Sequence, residues 1–192
     1  MKKFIVLAVC CKFFTVLNVH AQKEFKPFRV DAAISATFAF ADTLRGINFY
    51  IEPRYEVVPH LSVGFKIETG SFWRDKKKVL DDKKNITSYH ATADYTFYQH
   101  GYRPFVGAGL GIYRIKATTA RNLPLNPIAG YGVVKSNLGV MLRAGFVYRD
   151  RFTAAFEYDF AGNDALGTSA NFLSLRIGFF IGGGQINPGY SP

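Results

Sequence analysis

Cysteine is nearly missing from this chain of 192 residues: there are two, Cys10 and Cys11, adjacent to each other near the N-terminus. Both fall in a stretch that reads as a removable leader, so the mature chain has no thiol, no disulfide and no cysteine-based metal site. Histidine is also sparse, with four residues, and His60 and His100 sit on expected turns without a ligand cluster, which argues against a metal centre. No segment sustains helical periodicity, and no run beyond the leader approaches the eighteen or so apolar residues of a membrane helix. Low-complexity tracts and linkers are absent too.

What is present begins with a targeting pattern. Lys2 and Lys3 precede the mostly apolar Phe4–Val19, and Val19-His20-Ala21 fits a cleavage site before Gln22. Leu7-Ala8-Val9-Cys10 is a poor lipoprotein signal, because Val9 is bulky and Cys10 comes too early. Cleavage removes Lys2, Lys3 and Lys12 and no acid, so the formal charge falls from +10 to +7. A basic balance in an exported chain points to anionic lipid surfaces rather than nucleic acid. The organisation expected is a signal peptide over 1–21, a periplasmic lead-in over 22–27, a barrel over 28–182 and a short tail over 183–192.

The dominant signal is alternation with period two. In Val30-Asp31-Ala32-Ala33-Ile34-Ser35-Ala36-Thr37-Phe38-Ala39-Phe40 the even positions are apolar and the odd ones mostly small or polar, which gives a strand one greasy and one polar face. Eight such stretches are expected, at Phe28–Ala41, Ile47–Val57, Leu61–Trp73, Ile86–Tyr98, Arg103–Lys116, Asn137–Tyr148, Arg151–Gly162 and Asn171–Gly182. Tight links follow the second, fourth and sixth strands; longer links follow the first, third, fifth and seventh. An eight-stranded antiparallel up-and-down transmembrane β-barrel has this rhythm, with short periplasmic turns, longer external loops and both termini periplasmic.

Side-chain bulk assigns the faces. Gly64, Gly70, Gly107, Gly109, Gly111, Gly139, Gly145 and Gly178 share the polar face, while Phe38, Phe49, Phe65, Leu110, Leu142, Phe156 and Ile177 share the other. An eight-stranded barrel has an interior just wide enough for side chains, so the polar face points inward. That face also carries Arg29, Arg54, Lys66, Arg143 and Arg176 beside Asp31, Glu52, Glu56, Glu68, Asp94, Glu157 and Asp159. Buried charges are tolerable when paired and hydrogen-bonded, so these residues are expected to form an interior network that fills the lumen.

Arg103-Pro104-Phe105-Val106-Gly107-Ala108-Gly109-Leu110-Gly111-Ile112-Tyr113 resembles the fifth strand of small outer-membrane β-barrel proteins. Glu52-Pro53-Arg54-Tyr55, Phe156-Glu157-Tyr158 and the closing Leu175-Arg176-Ile177-Gly178-Phe179-Phe180 are similar to the same family, represented by the OmpA transmembrane domain, OmpX and OmpW. The resemblance covers nearly the whole mature chain and implies an outer-membrane location and contact with the barrel-assembly machinery. It also implies, through OmpW, an alternative role as a narrow channel or lateral route for small hydrophobic molecules. The tail departs from the pattern, since Phe180 is followed by glycines and Ile186–Pro192 rather than by a terminal aromatic.

Other motifs carry less. Gly107-Ala108-Gly109-Leu110-Gly111 lacks the nucleotide-loop spacing and following helix, so no cofactor is expected. Ser88, His90 and Asp94 share one face, but successive inward positions stand nearly 7 Å apart, too far for a ready proton relay. No catalytic residue is assigned, and neither a lipid A-modifying enzyme nor a soluble ligand-binding barrel is the favoured reading. The loop containing Arg74, Lys76, Lys77, Lys78, Lys83 and Lys84 has six basic and three acidic residues, and suits contact with lipopolysaccharide phosphates. The role expected is structural or interactive: envelope stability, adhesion through the loops to a surface partner, or lipid contact.

Overall fold

Alternating side chains can bury a polar face only if the sheet closes on itself, and it does. A computed structural model describes residues 25–39, 44–58, 60–73, 83–97, 102–118, 133–149, 151–165 and 167–185. They form β1 (Phe25–Ala39), β2 (Leu44–Val58), β3 (Leu61–Trp73), β4 (Lys83–Thr96), β5 (Tyr102–Thr118), β6 (Val133–Tyr148), β7 (Phe152–Phe160) and β8 (Phe172–Gln185). Each strand pairs antiparallel with its sequence neighbours, and β1 pairs with β8 to close an eight-stranded barrel. Closure leaves no unpaired edge, which a strand sheet needs in a medium that offers no hydrogen bonds. The expected leader, the first residues of the lead-in, most of the basic loop and the tail from 186 onward lie outside the described residues.

Several strands run further than the sequence pattern suggests. β4 starts at Lys83 rather than Ile86, β6 at Val133 rather than Asn137, and β8 ends at Gln185 rather than Gly182. Pairing explains the extension: Lys83 and Lys84 are matched by Trp73 and Phe72 on one side and by Thr118 and Ala117 on the other. A strand with two partners continues past the point where alternation fades. β7 instead stops early, at Phe160, and the chain between β7 and β8 folds on itself through an Asn163–Ser169 bridge.

The faces fall as bulk predicted. Phe49, Phe65, Leu110, Leu142, Phe156 and Ile177 are exposed on the outer wall, whereas Asp31, Glu52, Lys66, Arg143 and Arg176 are buried inside. The inward glycines of β5 mark close approach between strands. A Cβ on Gly107 would overlap the Asp94 carboxylate, and one on Gly111 would overlap the His90 ring. These glycines therefore give β4 room to lay its long side chains across the lumen.

The closed wall should keep the folded protein compact in mild detergent, so unboiled and boiled samples should migrate differently on a gel. Leu142 lies mid-strand between Ala108 and Tyr158 and is 49% exposed. Leu142→Arg should cost about 2–4 kcal/mol near the bilayer midplane, read as a smaller fraction of the unboiled, folded band; unchanged folding would mean the faces are reversed.

Candidate functional site

Inward side chains stack in layers along the barrel axis. At the long-loop end Leu44, Phe72, Ile86, Tyr113, Ile115, Ala161, Ala170 and Phe172 form an apolar cluster. At the turn end Phe105, Val147, Ala155 and Phe180 form a second, smaller one. Most of the interior charged residues lie between these two clusters and are buried.

Arg143 of β6 is the centre of this layer. Its Nη1 and Nη2 donate to Glu52 Oε2 and Oε1 of β2, both at 2.8 Å. Its Nε and Nη2 donate to Asp94 Oδ1 and Oδ2 of β4, at 2.7 and 2.9 Å. One planar guanidinium thus engages two carboxylates in paired geometry, and its side chain joins three strands across the lumen. Arg54 reinforces the same carboxylates: it donates to Glu52 at 2.9 Å, to Asp31 at 3.2 Å and to Asp94. Tyr50 donates its hydroxyl to Asp31 at 2.9 Å.

A second group centres on Glu157 of β7. Lys66 pairs with Glu157 and with Glu68, and Arg176 reaches Glu157 at 3.1 Å. Asn48 donates to Glu68 at 2.9 Å. Arg143 links the two groups, 3.9 Å from Glu157. Near the turn end Arg29 pairs with Glu56 at 2.5 Å and lies 4.4 Å from the centroid of the Phe180 ring.

All the residues assigned to the interior network are buried inside the barrel. Asp159 differs from the rest, because its partner is the Tyr113 hydroxyl at 2.7 Å rather than a cation among the described residues. Oxygens of Glu68, Glu157 and Asp159 lie within 4.8 Å of one another. The Lys66 ammonium contacts two of these three carboxylates, so the chain supplies its own cation there. Ser88 Oγ and both His90 ring nitrogens make no hydrogen bond among the described residues, and His90 instead packs on Tyr113 with ring centroids 4.7 Å apart. Asp94 is taken by two arginines, so Ser88, His90 and Asp94 form no relay.

The basic loop needs one correction. Lys83 and Lys84 belong to β4, and Lys84 turns inward to pair with Asp164 at 2.8 Å. Asp164 sits in the β7–β8 connection, where its carboxylate accepts from Thr168 N at 2.9 Å. The pair ties that connection across the mouth of the lumen. Arg74, Lys76, Lys77 and Lys78 lie outside the described residues. Sequence reasoning also missed Tyr50 and Tyr113, although both share the inward parity of Glu52 and Gly111; Asp164 had no periodic signal.

The outer wall shows a second asymmetry. Every described carboxylate is buried in the interior. The exposed charges among the described residues are all basic: Arg45, Arg114, Lys116 and Lys135 toward the long loops, Arg149 and Arg151 at the turn end.

An apolar outer wall around a filled, charge-paired lumen is the design of a barrel that sits in lipid. The fold is that of the small outer-membrane β-barrels. Neisserial surface protein A shares 19% identity with this chain at a TM-score of 0.59, covering 80% of this chain and 94% of that one. The N-terminal barrel domain of Pseudomonas aeruginosa OprF is 20% identical at a TM-score of 0.47, covering 81% and 99%. The Yersinia pestis attachment invasion locus protein Ail, in complex with the heparin analogue sucrose octasulfate, is 14% identical at 0.48, covering 83% and 100%. No family model matches the sequence, and no curated protein matches it.

The Arg143 node should be the most sensitive point of the interior. Arg143→Ala strands Glu52 and Asp94 beside a single remaining arginine, and breaking a buried pair on one side costs about 3–5 kcal/mol. Urea unfolding in lipid vesicles, followed by the emission of the one tryptophan, Trp73, should show the midpoint fall; an unchanged midpoint would mean the node is not what holds the lumen together.

Proposed function

We propose that the protein is an integral outer-membrane barrel with a structural and interactive role, exported by the 1–21 leader and inserted by the barrel-assembly machinery. The observation that carries this reading is the filled lumen: an ion-paired middle layer centred on Arg143 between two apolar caps. Conduction needs a water path, and eight strands leave little space beyond their own side chains. The same filling argues against the narrow-channel alternative, and the engaged Asp94 argues against catalysis by the Ser88 and His90 face.

The segregated charges support contact with anionic lipid. With the described carboxylates turned inward, the exposed basic residues meet their surroundings without a competing exposed acid among the described residues. Near an anionic surface each such charge contributes roughly 1 kcal/mol, fading beyond a Debye length of about 8–10 Å. Lipopolysaccharide is the partner that fits on the long-loop side, with Lys76, Lys77 and Lys78 adding to it from the loop, and the long connections are the surface offered to any protein partner.

Planar-bilayer recording of the purified barrel tests the role. Essentially no steady ion current is expected from the wild type. A large steady conductance would replace the structural reading with a channel. Mass spectrometry of lipid A from cells with and without the gene should give matching profiles; a missing modification would make the protein an enzyme.

A further inference from the structure

Above the apolar belt the outer wall of β3–β6 changes character in a fixed order. One row runs Ile67, Tyr89, Ile112, Leu138 across the four strands, all exposed on the wall. The next row toward the long loops is Thr69, Thr87, Arg114, Ser136, and the row beyond it runs Ser71, Asn85, Lys116, Val134. Arg114 and Lys116 are exposed and have no acidic partner among the described residues. They stand two positions apart on β5, about 7 Å along the strand. Ser71 donates to Asn85 at 2.9 Å, and both residues are exposed.

We infer that this face is a binding site for a phosphorylated glycolipid, the lipopolysaccharide of the outer leaflet. The inference rests on the outer-membrane reading above, which puts the long loops outside. In such a lipid the acyl chains end at a headgroup in which phosphate and sugar lie side by side. The wall matches that arrangement: the Ile67–Leu138 row for chains, and in the two rows above it Arg114 and Lys116 for phosphate, flanked in the same rows by the hydroxyl and amide groups of Thr69, Ser136, Ser71 and Asn85 for sugar. Arg114 offers a forked donor suited to phosphate oxygens, and Lys116 a mobile point charge beside it. An ordinary phospholipid would satisfy the two cations but leave Ser71, Asn85, Thr69 and Ser136 facing water. β5 supplies the height, because its 17 residues exceed the roughly 9–11 that a tilted strand needs to cross the bilayer.

The test uses the full barrel in zwitterionic nanodiscs, titrated at low salt with purified rough lipopolysaccharide, with phosphatidylglycerol, or with inorganic phosphate. Arg114→Gln with Lys116→Gln should weaken lipopolysaccharide binding roughly thirtyfold. Arg149→Gln with Arg151→Gln, at the opposite end, should leave it near the wild-type value. Arg114→Lys with Lys116→Arg keeps both charges and should bind within a few-fold of wild type. Each variant is first shown to fold by its unboiled gel mobility. If the Arg114/Lys116 variant binds lipopolysaccharide as tightly as wild type, the site is wrong while the lipid-contact reading stands. If the folded wild type does not bind lipopolysaccharide at low salt, the lipid-contact reading itself falls. Equal affinity for inorganic phosphate, phosphatidylglycerol and lipopolysaccharide would overturn the assignment to a glycolipid.

Discussion

The paired engagement of Arg143 by Glu52 and Asp94 is the contact on which the interior depends. A lone guanidinium in a closed lumen would face a desolvation cost of several kcal/mol. Two carboxylates, from β2 and β4, offset it with four directed hydrogen bonds. Because the three strands are not neighbours, the contact also fixes the barrel's cross-section. The glycines of β5 belong to the same arrangement: without Gly107 the Asp94 carboxylate would have no place to lie.

Enclosing the acids has an effect outside. The described interior holds eight carboxylates against six buried cationic side chains, Arg29, Arg54, Lys66, Lys84, Arg143 and Arg176. An excess of negative charge inside leaves an excess of positive charge on the wall and rims. The exposed charge of the described barrel is thus wholly cationic, and interior pairing and lipid attraction are two results of one partition. The same partition separates the two ends of the wall, since the turn end carries Arg149 and Arg151 beside Tyr102, Tyr148 and Phe152, while Arg114 and Lys116 rise on β5 above the belt.

The lumen mouth is closed by the chain itself. The β7–β8 connection buries Ala161, Asp164 and Ala170, and Lys84 of β4 holds Asp164 from another part of the wall. Asn137 of β6 adds hydrogen bonds to the carbonyls of Ala161 and Asn163 at 2.8 and 2.7 Å. A short β7 makes this fold possible, because the segment that would have extended the strand turns over the opening instead.

By itself the sequence determined the strand number, the alternation of connections and which face points inward, because a period of two and side-chain bulk are local properties of each strand. It also placed Arg29 through Arg176 in one interior set, since each falls on the small or polar parity of its own strand. Only the tertiary structure decided who pairs with whom. Register and strand stagger bring Arg143 to Glu52 and Asp94 and leave Asp159 to Tyr113, and neither is written in any one strand. It moved Lys84 from the basic loop, read as a lipopolysaccharide contact, to a tether on Asp164, because the partner ladder of Phe72 and Ala117 carries β4 past the end of its alternation. It set Arg114 and Lys116 over an apolar row for the same reason: a surface shared by four strands exists only once their ladders are aligned.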